Sequence, residues 1–189
     1  MLPIRKRDPM KEIEVKIIDF NEPKLRASLK RGRARYLGKS SLTRLVFDAM
    51  PDTDEQDELI RIRTDGKRTT LTWKYRDNRG KNLDNTDEIE VEVGDFGKAA
   101  EIISKLWKGG RPYRQETKLE KWDYKGVEVA ICTWPLIPPF VEVEGKTVKA
   151  VRNAIKELGI EGTNMGNSNL RKIFARYGQE GKDLGDLQF

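Results

Sequence analysis

The chain has 189 residues, 37% of them hydrophobic and 36% charged, with 37 Lys and Arg against 31 Asp and Glu for a formal net charge of +6. That length suits one domain with a sizeable core, and no window is apolar enough to span a membrane. One cysteine, Cys132, and no histidine exclude an internal disulfide, multi-cysteine zinc clusters and every Ser-His-Asp or Cys-His nucleophile, leaving carboxylates, lysines, arginines and oxygen-loving metals.

In chain order, the opening MLPIRKRDPM is basic but leads into no apolar run and no small-residue cleavage site, so no signal peptide is expected and the cytoplasm is the default compartment. KEIEVK, residues 11–16, then alternates: Glu12, Glu14 and Lys16 share one face of a strand, and Ile13, Val15 and Ile17 share the other. A short helix is expected at NEPKLRASLKRG. The following RGRARYLGK is the densest basic run and reads as a solvated helix end, since one tyrosine among basic residues is no stacking platform.

Period-two stretches continue at LTRLVFD, ELIRIRT, TTLTWKYR, DEIEVEV, within YRQETKLEKW, and at VEVAIC and FVEVEG. With the first they give about eight strands, joined mainly by short turns such as TDGK and RDNRGKN, which points to an antiparallel sheet rather than βαβ units. Helices are expected at FGKAAEIISKLW, at KTVKAVRNAIKELG between a Thr147 cap and a Gly159 stop, and at NSNLRKIFARYG capped by Asn167 or Ser168. All read as surface helices covering a sheet. Trp73, Tyr75, Trp122 and Trp134 are expected mostly to pack as core beneath them. The expectation is a single α+β domain over residues 1–189, with a core of about 11–178.

Each strand has an apolar and a charged face. Arg61 and Arg63 alternate with Ile60 and Ile62; Thr72, Lys74 and Arg76 with Leu71, Trp73 and Tyr75; Glu88, Glu90 and Glu92 with Ile89, Val91 and Val93; Glu142 and Glu144 with Val141 and Val143. If helices cover the apolar faces, the charged faces form either one open wet surface or the wall of a lumen. Carboxylates two apart on one face lie about 7 Å from each other and repel, which a divalent cation would reverse; rows of Arg and Lys repel unless a polyanion lies between them. The pattern fits a metal plus a polyphosphate. Nucleic acid is disfavoured, because the acidic strand pairs oppose a continuous basic path.

With Glu12, Glu14 and Lys16 as an E-x-E-x-K strand, followed in order by VFD, LIRIR, LTWK, EIEVEVGD and FVEVEG, the sequence resembles the CYTH family, also called triphosphate tunnel metalloenzymes. The resemblance covers nearly the whole chain and implies an eight-stranded antiparallel β-barrel forming a tunnel, with helices outside. It implies metal ligation by Glu12, Glu14, Glu142 and Glu144, with Glu88 or Glu90 contributing, for Mg²⁺ or Mn²⁺. It also implies a triphosphate grip by Lys16, Arg61, Arg63 and Lys74, the catalytic cations, to which Arg76 and Lys118 are added as binding residues. The implied activity is metal-dependent hydrolysis of inorganic triphosphate, thiamine triphosphate or a nucleoside triphosphate by a monomer or homodimer away from membranes. Class IV-type adenylate cyclisation and non-catalytic nucleotide or polyphosphate binding are the alternatives.

Two positions depart from the family pattern. Thr117 and Leu119 stand where the family tends to have Lys-x-Arg, and Lys118 or Arg114 could substitute only with a register change or a bulge. Cys132 stands where the family usually has an aspartate, and a thiol is a poor ligand for a hard cation.

Overall fold

The computed structural model describes residues 10–48, 56–77, 86–179 and 185–189. Most of the basic opening run and of the turn expected at RDNRGKN lies outside those residues. The elements in chain order are β1 (Met10–Glu12), β2 (Glu14–Ile18), α1 (Glu22–Arg31), β3 (Arg35–Asp48), β4 (Gln56–Thr64), β5 (Thr69–Asp77) and β6 (Thr86–Val93). They continue with α2 (Phe96–Leu106), β7 (Tyr113–Tyr124), β8 (Val127–Thr133), β9 (Phe140–Glu144), α3 (Val148–Leu158), β10 (Thr163–Gly166) and α4 (Leu170–Arg176).

All the strands join one sheet in the order β1-β6-β5-β4-β3-β7-β8-β9-β2-β10. β1 and β2 are the two halves of the expected first strand, parted only at Ile13. Glu12 pairs with Thr86 of β6, while Glu14 pairs with Glu144 of β9, so the sheet returns on itself along this stretch and encloses a lumen. Past β1, β10 takes the edge of β2 that β6 has left, pairing Thr163 with Ile18, which satisfies backbone groups that would otherwise lie open. The expected tunnel is therefore present. β10 was not foreseen, because TNMG is too short and too polar to show a period.

Apolar residues on the outer face pack beneath helices. Val15, Ile17, Trp122, Val129, Ile131, Val141 and Val143 meet Leu25 and Leu29 of α1 and Val151, Ala154 and Leu158 of α3. Phe47 and Ile62 meet Ala100 of α2. Each large aliphatic side chain buried this way contributes about 1.5–3 kcal/mol. The helices begin where short polar side chains can accept from the first free amides: Asn21 from Lys24, Asp95 from Lys98 and Thr147 from Ala150. Gly159 ends α3 with φ 59°, a left-handed stop that favours glycine.

Four expectations need correction. β3 begins at Arg35 and runs 14 residues, so half of RGRARYLGK is strand rather than helix end. Among the described residues the outer face of β5 and β6 is covered only in part: Leu71 packs beneath α2, but Ile89 and Val91 are exposed, and Trp73 and Tyr75 stack on each other half-buried, with Trp73 Nε1 donating to Glu58 at 2.6 Å. And α4 is no surface helix. Its Ile173 and Phe174, both fully buried, pack with Ile18, Cys132, Trp134 and Phe140 and plug one end of the barrel. The cap of α4 is Asn169, which accepts from Lys172 N–H at 3.0 Å, not Asn167 or Ser168. Asn169→Ala should cost about 1 kcal/mol, read as a lowered thermal midpoint.

Candidate functional site: the charged lumen

Strand alternation turns the charged faces inward, as the lumen reading required. Lys16, Arg61, Arg63, Lys74 and Arg76 line a cavity of about 470 Å³ together with Glu14, Glu88, Glu90, Glu142 and Glu144. Glu12 belongs to the wall by its backbone pairing, but its side chain lies outside the described residues. Lys118 is not brought to the site. It points outward, with its ammonium 3.8 Å from the centre of the Phe189 ring, because the inward parity of β7 belongs to Gln115, Leu119 and Lys121.

Part of the lumen wall is buried, and its charges meet partners both along and across strands. Glu14 and Lys16 are each nearly fully buried and form a short ion pair, with Arg76 3.9 Å from Glu14 and 3.2 Å from Asp57. Burial by itself would raise the Glu14 pKa, but Lys16, Lys74 and Arg76 together bring it down to about 2. Glu90 receives Arg63 at 3.1 Å and the Thr72 hydroxyl at 3.0 Å, with Arg61 at 3.9 Å. Its partial burial is outweighed by these cations, and its carboxyl stays below the usual range. Lys74 lies 3.6 Å from Glu88.

On the opposite wall Glu14, Glu144 and Glu128 stand in register across β2, β9 and β8. Leu119 and Cys132 form a cross-strand pair that lines the cavity. The Cys132 thiol donates to Glu142 Oε2 at 3.3 Å, and burial together with that carboxylate pushes its pKa well above the ordinary value. It is a neutral donor here, not a nucleophile.

The acidic wall suits a hard divalent cation in kind, since its donors are carboxylate oxygens. Among the described residues, however, no three acidic or thiol side chains converge to hold an ion: Glu14, Glu88 and Glu90 are engaged by cations of the lumen.

Sequence reasoning missed Arg44, Asp57, Trp134 and Arg171, which also line the cavity. Asp57 was within reach, being in period with Arg61 and Arg63. Arg44 was not, because β3 alternates Leu42, Arg44, Val46 and Asp48 against Thr43, Leu45 and Phe47, and neither face is uniformly charged.

No protein-family model and no curated protein matches the sequence. Solved structures share the fold. The PH1012 protein from Pyrococcus horikoshii OT3 aligns with a TM-score of 0.64 at 20% identity, over 79% of this chain and 91% of that one. A candidate adenylate cyclase from Vibrio parahaemolyticus aligns at 0.62 and 8% identity, over 88% and 99%. HpAC1 from Hippeastrum, a candidate adenylyl cyclase with a dominant triphosphatase activity, aligns at 0.56 and 14%, over 89% and 95%. The curled sheet, its inward charges and these likenesses define the class: this chain has the CYTH, or triphosphate tunnel, fold. At these identities the likeness is one of fold, and the activity must be argued from the lumen. No helix among the described residues is long and apolar enough to cross a membrane.

Proposed function

We propose that this chain binds a triphosphate-containing small molecule in the lumen and hydrolyses a phosphoanhydride bond. The observation that carries the reading is the convergence of Arg61, Arg63, Lys74, Arg76 and Lys16 on one cavity whose far end is plugged by α4. The triphosphatase activity of the structural neighbour HpAC1 supports it. Lys16, Arg61, Arg63 and Lys74 would displace their carboxylate partners in favour of phosphate oxygens, which offer more charge and bidentate geometry to each guanidinium. Held in a partly buried cavity, these cations would offset charge building on the transferring phosphoryl group as water attacks, with no covalent intermediate on the protein. Mg²⁺ or Mn²⁺ is proposed as the companion ion, with Glu142 and Glu144 as its holders, and would add Lewis-acid neutralisation of the leaving phosphate.

The test is a product assay with inorganic triphosphate, thiamine triphosphate and ATP, in Mg²⁺, Mn²⁺ and chelator. Orthophosphate release supports hydrolysis, whereas a cyclic nucleotide would show the cyclising variant of the same site. The Leu119–Cys132 pair favours a second reading, binding without turnover, because both side chains are uncharged where they meet the lumen. Tight binding with no product would establish it. Arg63→Ala and Lys74→Ala should each weaken tripolyphosphate binding by about 1.5–3 kcal/mol, measured calorimetrically; insensitivity to both would remove the ligand from this wall.

A further inference from the structure

β3 contributes to the lumen a cation that no carboxylate among the described residues pairs with directly. Arg44 faces the cavity directly opposite Arg63 in the β3–β4 pair and opposite Gln115 in the β3–β7 pair. Two like charges in one cross-strand pair repel, and both of these are half-buried. Burial first, then Arg61 and Arg63, push the Arg44 pKa down to about 9. Glu90, on the same side of the lumen, is already shared by Arg61 and Arg63. Among the described residues no carboxylate forms an ion pair with Arg44, and its Nε has no hydrogen-bond partner. Glu142 offsets part of the repulsion without pairing with Arg44.

What holds Arg44 is an aromatic face. Its guanidinium carbon lies 4.3 Å from the centre of the Trp134 ring, and Trp134 is in turn set edge-on against Phe174 of the plug, 6.3 Å between centres at 90°. Stacking occupies the flat face of a guanidinium and leaves its in-plane N–H groups available for oxygen acceptors.

We propose that Arg44, held by Trp134, is an anion-contacting residue: together with Arg61 and Arg63 it forms a three-guanidinium cluster on the β3–β4 wall that takes the most highly charged phosphoryl group of the ligand. The inference rests on the triphosphate reading above and names the wall on which that group lies. Trp134 is the positioning residue.

The anion role and a structural role predict opposite signs. If Arg44 awaits an anion, its charge strains the ligand-free protein. Arg44→Met, similar in length but neutral, should then raise the ligand-free thermal midpoint by about 2–4 °C while weakening tripolyphosphate binding about 10- to 100-fold. Arg44→Lys keeps the charge without the planar fork and should fall between. Trp134→Phe, which keeps a ring beneath the guanidinium, should retain affinity within about threefold, and Trp134→Leu should lose more. Calorimetric titration with tripolyphosphate and melting in low salt read all four variants. An Arg44→Met protein that melts lower or fails to fold, or that binds as tightly as wild type, overturns the Arg44 assignment and leaves the triphosphate reading standing. Equal affinity in the two Trp134 variants overturns the role of the ring. A wild-type protein that binds no triphosphate overturns both readings at once.

Discussion

Replacing Glu14 by glutamine is expected to destabilise the metal-free protein by about 3–5 kcal/mol, the range for breaking a buried ion pair from one side. The carboxylate is the anionic centre that Lys16 and Arg76 share below the water line of the lumen. Glutamine keeps the shape but removes the carboxylate nearest to Lys16, whose other acidic neighbour, Glu142, is 3.9 Å away, and leaves Arg76 to Asp57. Urea titration with a chelator present measures the loss. The same group gives the protein an acid limb. Its folded pKa of about 2 lies below the ordinary 4.5, so its contribution is complete above about 4.5 and disappears as pH falls toward 2. Wild type should therefore lose stability through that window, and the Glu14→Gln protein should lose distinctly less. Equal stability of the two proteins at pH 7 would mean that this pair is solvated and not part of the core.

Much of this architecture was legible in the sequence, for a physical reason. A barrel with helices outside and charge inside favours a period of two in which a wall strand is apolar on one side and polar or charged on the other. β5 and β6 show that contrast at Leu71, Trp73, Tyr75 and Ile89 against Lys74, Arg76, Glu88 and Glu90, with Thr70 and Thr72 sharing the inner parity. The same rule fails on β3, where Leu42 and Val46 share the lumen face with Arg44, and so the least balanced cation of the site went unseen. α4 was legible as a helix but not as a plug. Its apolar stripe of Ile173 and Phe174 would look the same packed on an outer wall as it does against Trp134 inside. The parity of β7 decided another case. Lys118 and Leu119 are adjacent, one of them must face out, and only the pairing of Leu119 with Cys132 across β8 settles which.

Pairing within the lumen was also beyond the sequence. Alternation lined up carboxylates and cations on their strands, but cross-strand register sets which meet. Glu88 falls opposite Lys74, and Glu90 opposite Thr72 between the reach of Arg61 and Arg63. Three of the expected metal ligands, Glu14, Glu88 and Glu90, are thus engaged by Lys16, Arg61, Arg63, Lys74 and Arg76 of the expected phosphate binders before any ligand arrives. Such pairing keeps an otherwise repulsive site folded, and it makes binding an exchange of a carboxylate for a phosphate on each cation. Affinity should therefore be lower than the count of cations implies, and steeply dependent on salt.

The double replacement Leu119→Arg with Cys132→Asp should raise hydrolysis of the preferred triphosphate by about 10² or more, since one well-placed charged group can contribute on that order. The two positions face one another across β7 and β8 and line the lumen, and the tunnel family that the sequence resembles tends to carry an arginine and an aspartate there. In this chain they are an isobutyl group and a thiol that donates to Glu142. An aspartate alone at 132 would set a second carboxylate against Glu142, offset in part by Lys16 at 3.9 Å from that residue and by Arg44, and should cost stability. Adding arginine at 119 gives it an opposite charge in the same cross-strand pair, so the double variant should fold better than Cys132→Asp alone. Steady-state phosphate release with Mg²⁺ and with Mn²⁺, wild type beside both variants, decides the matter. Slow wild-type turnover that the double change accelerates would mean that the lumen grips its ligand with part of its catalytic charge missing. Brisk wild-type turnover that the double change abolishes would show the opposite. Lys118 faces outward and the exposed Arg114 pairs with Glu116, so the cations responsible would then be Arg44, Arg61 and Arg63 on the facing wall.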